Sequence, residues 1–375
     1  MINVAFLVNG DEGSAIAERA RAFSLRLRNR HNISVAYRSS RKIISALRFF
    51  VFLTKMKPEV IYIFDMSFSG VLAGALYKVI FGARLIIDTG DAIYDLAKSM
   101  ARSRVGLGLT GLLEAISFRA ADRIVVRGTF HQRLLEERGI HAELIQDGVD
   151  TSQFKPMDVA ALRKEYGLEG HLTVGAVGSV IWNDALGMCY GSEVAEVINL
   201  LKDSPVRGVI IGDGPGLSRL KVLARELGVE DRILFPGRIA YDALPRFLNM
   251  IDVCISTQTN DVVGQVRTTG KLPLYMATGR YVLATNVGEA TLCLPEEMLI
   301  EFNVKRDSYA RRLAERVDAL VKDRRGLARG LENSEVAKTK FDYSVLASKL
   351  DVLLETISPR EIRLEEHFAG KPDPN

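Results

Sequence analysis

The feature that most constrains this chain is an alternation that starts twice: short runs rich in Val and Ile recur between segments of helical periodicity. Short apolar runs bounded by turns read as strands buried on both faces, the situation of a parallel sheet covered by helices on either side. In the first half the predicted strands cover 3–8, 33–37, 60–64, 84–88, 123–126 and 142–145, with helices over 15–30 and 70–81 between them. In the second half they cover 172–177, 206–211, 233–235, 253–256, 281–284 and 298–302. A length of 375 residues exceeds what one core usually fills, so the double start predicts two Rossmann-like α/β domains.

The stretch Gln146-Asp-Gly-Val-Asp-Thr-Ser-Gln-Phe-Lys-Pro156 carries turn residues and no apolar period, which places the interdomain linker there. The expected domains are 1–155 and 156–340. A helix follows over 341–357, with apolar positions Val345, Leu346, Leu350, Val352 and Leu353, and 358–375 reads as a polar, frayed tail. Apolar residues at 47% and charged residues at 26% are those of a folded globular chain, which argues against a disordered or integral membrane protein. The opening Met-Ile-Asn-Val-Ala-Phe-Leu-Val lacks the basic lead of a signal peptide and reads as a first strand, so a cytoplasmic location is expected. Cys189, Cys254 and Cys293 are odd in number and widely spaced, which argues for buried thiols over a disulfide framework or zinc site.

Charge is uneven. Residues 1–57 hold 11 Lys and Arg against 3 Asp and Glu, while the whole chain carries only +4. The first domain is therefore expected to meet phosphate groups or an anionic membrane surface. Nucleic acid is not expected, since no Cys/His finger, aromatic RNA-binding motif or basic zipper accompanies the charge. The basic and apolar residues mix most densely in Arg41-Lys-Ile-Ile-Ser-Ala-Leu-Arg-Phe-Phe-Val-Phe-Leu-Thr-Lys-Met-Lys57. That segment is either an interfacial helix, favoured by the apolar run Phe49–Leu53 wrapping around it, or a core helix with its cations in water.

Two segments carry chemistry. Ile210-Ile-Gly-Asp-Gly-Pro-Gly-Leu-Ser-Arg-Leu220 predicts a strand, a Gly-Asp-Gly turn and a helix with Pro215 near its first turn, which is either a tight turn only or a place where a ligand approaches backbone. Thr259-Asn-Asp-Val-Val-Gly-Gln-Val-Arg-Thr-Thr-Gly-Lys-Leu-Pro-Leu-Tyr-Met-Ala277 predicts a helix from Gly270 or Lys271, because Pro273 fits only a first turn, with Thr268 and Thr269 as caps. Arg267 and Lys271 flank that start, either as two solvated cations or as charge for a developing anion.

The order Gly212-Asp-Gly-Pro215, Leu227-Gly-Val-Glu-Asp-Arg-Ile233, Phe235-Pro-Gly-Arg-Ile239, Ala243-Leu-Pro-Arg-Phe-Leu248 and Asp252-Val-Cys-Ile-Ser256, with Asn286-Val-Gly288 and the linker, resembles the retaining family 4 glycosyltransferases. The resemblance implies the GT-B fold, two Rossmann-like domains facing across a cleft. It implies transfer of a sugar from a nucleotide diphosphate donor to a glycan or lipid-linked acceptor, with retention and without a metal or other cofactor, in the synthesis of cell-surface polysaccharide or glycolipid. It further implies that the helix over 341–357 crosses back to the first domain. Donor-binding positions carried over are Gly13 and Ser14 after the first strand, Gly178 and Ser179, Gly212, Gly214 and Pro215, Arg238 and Ile239, and Thr268, Thr269 and Gly270. Arg267 and Lys271 are expected to stabilise the leaving diphosphate, and Asp91 to contact a sugar hydroxyl or the acceptor.

The chain departs from the family in three places. Two glutamates usual eight residues apart are replaced by Val266 and Leu274. The Arg and Lys usual after the second domain's first strand are absent from 178–187, and the family's histidine position holds Gly90. A non-catalytic, nucleotide-sugar-binding member of the same fold is the alternative these losses leave. A sugar-nucleotide epimerase or a phosphorylase is a remoter one, and a dehydrogenase is disfavoured because Asn9–Ser14 lacks Gly-x-Gly-x-x-Gly.

Overall fold

The computed structural model describes residues 1–39, 41–100, 102–184, 187–302 and 306–358; from residue 359 on, the expected polar tail lies outside them. Two compact units divide the chain, one of Met1–Gly148, Gln265–Thr268 and the chain from Tyr343, the other of Val149–Gly264 and Thr269–Asp342. The turn-rich linker suggested a boundary at 155/156, but Val149 and Phe154 are fully buried in the second unit's core, so the change of unit falls at Gly148/Val149.

Among the described residues the first unit holds β1 (Asn3–Val8), α1 (Ala15–Leu27), β2 (Asn32–Tyr37), α2 (Lys42–Met56), β3 (Val60–Phe64) and α3 (Phe68–Phe81). These are followed by β4 (Arg84–Thr89), α4 (Ile93–Ser99), α5 (Arg104–Ala120), β5 (Arg123–Val126), α6 (Thr129–Glu136) and β6 (Glu143–Leu144). The six strands form one parallel sheet in the order β2-β1-β3-β4-β5-β6. Alternation along β1 divides the core. Val4, Phe6 and Val8 face α1, and Ala5 and Leu7 face α2 and α3.

The second unit contains α7 (Ala160–Glu165), β7 (Leu172–Val177), α8 (Ser192–Leu200), β8 (Val206–Ile211), α9 (Leu217–Glu226), β9 (Ile233–Gly237), α10 (Leu244–Asn249) and β10 (Val253–Ser256). It continues through α11 (Val262–Val266), whose last two residues belong to the first unit, then α12 (Lys271–Ala277), β11 (Tyr281–Thr285), α13 (Ala290–Cys293), β12 (Leu299–Ile300), α14 (Arg306–Lys322) and α15 (Gly330–Lys340). Its parallel sheet runs β12-β11-β10-β7-β8-β9.

The last helix, α16 (Tyr343–Ile357), belongs to the first unit. Tyr343, Leu346, Leu350, Leu353 and Leu354 enter the core beside α1, and Tyr343 meets Phe23 edge-on with ring centroids 5.7 Å apart. Such an aromatic pair adds about 0.5–1.5 kcal/mol beyond its buried area. Asp351 is buried there against His31, at 2.6 Å, and also pairs with Arg30.

In each sheet the strand order reverses at one point, between β1 and β3 in the first and between β7 and β10 in the second. Open α/β sheets take ligands outside the carboxyl ends of the strands at such a reversal. That rule directs attention to the loops after β1 and β3 and to those after β7 and β10.

Candidate functional site: two sheet edges

In the second unit the carboxyl edge is made of backbone. Gly178 follows β7 with φ 149°, and Gly212 and Gly214 follow β8 with φ 142° and 154°. A Cβ on Gly212 would lie 1.9 Å from the Gly178 carbonyl oxygen, and one on Gly214 would lie 2.4 Å from that of Val180. No other residue fits either place without moving the neighbouring loop. The loops are stitched together: the Gly178 amide donates to Ile211 O, Val180 to Asp213 O, Gly216 to Val180 O and Gly212 to Gly237 O, all at 2.9–3.0 Å. This brings Gly178, Gly212, Gly214 and the turn before Arg238 and Ile239 together. Ser179 and Arg238 are exposed, while Ile239 is half-buried against the core. Pro215 lies near the first turn of the following helix, just outside it. Gly216 caps α9 and Pro215 stands in the turn before it, since Gly214 and Leu217 close that turn by their own hydrogen bond.

Helix α12 begins at Lys271, with Pro273 in its first turn as expected. Its cap is Gly270, with no side-chain bond. Neither threonine caps it: Thr268 donates to Asp147 at 2.8 Å, and the Thr269 carbonyl accepts from the Leu272 amide. Lys271 is not a solvated cation. Only 9% of it is exposed, and its ammonium sits 3.4 Å from the centroid of the Tyr190 ring. A cation over an aromatic face is held by the ring quadrupole, more strongly when desolvated.

Near it lies a buried carboxylate that sequence reasoning missed. Glu193, at the start of α8, accepts from Thr257 Oγ1 at 2.9 Å and from the Gly191 amide at 3.1 Å, and Thr257 meets the Tyr309 hydroxyl at 3.1 Å. Burial pushes the Glu193 pKa up, and the Lys271 charge with these hydrogen bonds draws it only part of the way back. The available signal was position. Glu193 directly precedes Val194 in the apolar Val194-Ala-Glu-Val-Ile198 run, on the face of α8 that turns inward.

The first unit's edge is built from side-chain charge. Asp88, at the end of β4, is fully buried between Arg19 Nε at 2.9 Å and Arg127 Nε at 2.8 Å, and also accepts from the Tyr62 hydroxyl at 2.8 Å. Arg19 donates on to the carbonyls of Ile145 and Gln146, and Arg127 to Asp65 at 2.5 Å. Desolvation would raise the Asp88 pKa, but the Arg127 and Arg19 guanidiniums outweigh it and hold it below the usual carboxylate range. Asp65 goes the other way, pushed up by burial despite Arg127.

Asp91, two residues after β4, is bound to Arg267 Nε at 2.9 Å. Two of the three expected catalytic residues thus form one ion pair, and Asp91 offsets the charge that Arg267 would offer a diphosphate. Close by, His131 on α6 is 2% exposed, and its Nδ1 has no hydrogen-bond partner among the described residues. Burial holds this imidazole neutral, with its pKa lowered to about 4. In the loop after β1, the Gly13 amide donates to the Asp11 carboxylate at 3.1 Å and Ser14 Oγ to the Asp11 carbonyl at 2.6 Å. Of the two family glutamate positions, Val266 is buried and Leu274 is half-buried against the second unit's core. Among the described residues no three His, Cys, Asp or Glu side chains are grouped to hold a metal ion.

Comparison with known proteins shows what the chain is similar to. HepE of Anabaena, solved with UDP and glucose, superposes with a TM-score of 0.76 at 17% identity, covering 95% of this chain and 100% of HepE. Sucrose-phosphate synthase of Thermosynechococcus elongatus gives 0.75 at 16% identity, over 95% and 99%. At such identities the likeness is one of fold. A GDP-mannose-dependent alpha-(1-6)-phosphatidylinositol monomannoside mannosyltransferase of Mycobacterium tuberculosis is 31% identical over 220 residues, which are 56% of this chain and 54% of that protein. A 2-deoxystreptamine glucosyltransferase of Streptomyces kanamyceticus is 27% identical over 154 residues, 39% of this chain and 37% of the relative. The chain thus spans about half, or less, of the curated relatives it matches. Residues 171–323, from β7 to the end of α14, match the family model for glycosyl transferases group 1, and the two six-stranded parallel units give the chain the GT-B fold.

Proposed function

We propose that this chain is a glycosyltransferase that moves a sugar from a nucleotide diphosphate sugar to a glycan or lipid-linked acceptor, with retention of configuration, in cell-surface polysaccharide or glycolipid synthesis. The observation that carries the reading is the edge of the second sheet, where the glycine turn after β7 lies at the strand reversal and the turn after β8 is bonded to it. Gly212 and Gly214 let the two loops pack on each other, and Gly178 leaves open space where a Cβ would stand, so that a base or a diphosphate can approach the backbone there. HepE is solved with UDP-glucose, and the mycobacterial relative is named for GDP-mannose, so both uridine and guanosine donors belong in the test.

In the proposed reaction the bond between the sugar carbon and the diphosphate breaks with its electron pair on the leaving oxygen. The acceptor hydroxyl bonds to the same carbon on the same face, and its proton passes to the leaving phosphate. Lys271 and backbone amides supply the balancing charge without a metal. Arg267 contributes after exchanging Asp91 for phosphate, which leaves Asp91 to contact a sugar or acceptor hydroxyl. The enzyme works from the cytoplasmic side, at the inner face of an anionic membrane when the acceptor is lipid-linked.

The test joins a thermal-shift screen of UDP- and GDP-sugars to an assay for release of the nucleoside diphosphate. Lys271→Ala is expected to keep the fold and lose about 10²- to 10³-fold in turnover, the effect of removing one preorganised charge stabiliser. Wild-type turnover in that variant would remove Lys271 from the mechanism. A second reading, a nucleotide-sugar-binding protein without transfer, draws on Val266 and Leu274 at the glutamate positions and on the Asp91–Arg267 pair. A donor-induced shift without turnover on any acceptor would favour it.

A further inference from the structure

Helices α2, α3 and α5 cover one face of the first sheet, turning Phe49 and Leu53, Val71 and Tyr77, and Leu113 and Phe118 inward. The run Phe49–Leu53 therefore does not wrap outward as a whole; its two ends are core. What the helices turn away from the sheet is also apolar. On α2, Ile43, Leu47 and Val51 recur every four residues and are exposed, Ile43 to 71%. On α3, Leu72, Leu76 and Val79 make a second outward stripe, with Val79 exposed to 83%. On α5, Val105, Leu109, Leu112 and Ile116 make a third, with Val105 exposed to 73%. The helices lie side by side: Phe50 of α2 meets Tyr77 of α3, and Lys78 of α3 binds Ala120 O at the end of α5 at 2.8 Å. A monomeric soluble protein rarely exposes so much contiguous apolar surface without a use for it.

The charges on these helices select the occupant. Neither α2 nor α3 contains an Asp or Glu, and the single acid of α5, Glu114, is half-buried toward the Tyr94 amide. Arg41, Lys42, Arg48, Lys55, Lys57 and Arg104 are all exposed. A second copy docked by the same face would set these cations against their own images, since a two-fold interface pairs a patch with itself. A nucleic acid would engage the cations and find no use for three aliphatic stripes. A bilayer surface with anionic lipid satisfies both features, with aliphatic side chains entering the acyl boundary and cations remaining at the headgroups. The helices lie on such a surface and do not cross it. The 14 residues of α3 reach about 21 Å against a hydrocarbon core of about 30 Å, and no helix among the described residues is long and apolar enough to span.

We infer that the outward face of α2, α3 and α5 together is the membrane-docking surface of this protein, holding the first unit on anionic lipid. The inference rests on the lipid-linked acceptor of the proposed function for its purpose, but its physics is separate. The experiment is sedimentation of the full chain with vesicles of phosphatidylcholine alone or mixed with phosphatidylglycerol, at low and high salt. The wild type should pellet with the anionic mixture and be released by salt. Leu72→Glu, Leu76→Glu and Val79→Glu combined on α3 should weaken binding about tenfold or more, as should Arg41→Glu, Lys42→Glu and Arg48→Glu on α2. Melting curves and thermal shift with UDP- or GDP-sugars check that each variant remains folded. A wild type that stays in the supernatant with anionic vesicles at low salt overturns the inference. So does an α3 variant that binds like the wild type, or a wild-type dimer in solution that the α3 variant splits. A protein that binds nucleotide sugar and ignores vesicles loses only the docking face, whereas one that binds vesicles and no nucleotide sugar loses only the donor reading.

Discussion

At the carboxyl edge of the first sheet a buried carboxylate, Asp88, is clamped between two arginines; at the same edge of the second sheet, backbone glycines fill the equivalent place. The first edge sets two guanidiniums, Arg19 and Arg127, against three carboxylates, Asp88, Asp65 and Asp147. Its charges are committed to one another and fix the ends of β3, β4, β5 and β6 in place. At the second edge the loops hold one another by main-chain bonds, with the Asp213 carboxylate accepting from the Gly214 amide and the Tyr275 hydroxyl from the Val177 amide. One sheet edge is held by committed charges and the other by main-chain bonds between glycine turns, and the proposed donor site lies on the second. The loop after β1 agrees with that division, since Asp11 takes the Gly13 amide that a phosphate would use.

The comparison breaks hardest at Asp88. Asp88→Ala leaves two guanidiniums buried with one partner fewer, and removing one member of a buried ion pair costs about 3–5 kcal/mol. Urea denaturation should show that loss. A loss within about 1 kcal/mol would mean that the network does not hold the edge.

His131 gives the next effect, and its sign follows from burial. The native imidazole has its pKa held down to about 4 while the unfolded one titrates near 6.5, so the unfolded state binds more protons between those values. Stability is present at neutral pH and is lost as pH falls from 6.5 through 4, by about 3 kcal/mol in total. Asp88, held below the usual carboxylate range by its two arginines, acts lower on the scale. His131→Leu should flatten the pH dependence of the denaturation midpoint across this window, and an unchanged slope would show that the native ring is accessible to protons.

Gly212→Ala sharpens the other side of the comparison. The new Cβ meets the Gly178 carbonyl at a positive φ, so the turn must shift, at a cost of about 1–3 kcal/mol in backbone strain. The donor-induced thermal shift should fall with it. Full nucleotide binding in a destabilised Gly212→Ala would put the donor elsewhere.

Much of this architecture was visible in the sequence because parallel strands buried on both faces leave continuous apolar runs, such as Val60–Phe64 and Val206–Ile211. The shortest strands, Glu143–Leu144 and Leu299–Ile300, show only their place in the rhythm and not their true length. The glycine turns were legible for a similar reason, since no other residue tolerates their backbone. Side-chain pairings were not. Arg19 is one of several arginines in an Arg-rich helix, and the only sign of its burial is that it lies four residues before Phe23 and eight before Leu27 on the inward stripe. Its partner Asp88 is 69 residues away, and Arg267 and Asp91 are 176 apart, separations at which no local pattern operates. The burial of Lys271 was not legible, because the Tyr190 ring that covers it belongs to a different loop.

The smallest expected effect is at Glu193, a buried carboxylate of the second unit, and it runs opposite in pH to that of His131. Burial raises the Glu193 pKa above its unfolded value near 4.5, so the native state holds the proton more tightly than the unfolded chain does. Stability from that preference is full below 4.5 and is lost as pH rises through the native value, where the carboxylate must ionise out of water. Glu193→Gln keeps an oxygen to accept from Thr257 or the Gly191 amide and carries no charge to desolvate, so its cost in acid should be within about 1 kcal/mol. As pH rises above 4.5 the variant should gain on the wild type. Paired denaturation curves at acid and neutral pH measure this directly. A stability difference that stays constant with pH would mean that Lys271 fully compensates the buried charge, and the two would then be a matched ion pair whose separation, and not whose desolvation, governs the second edge.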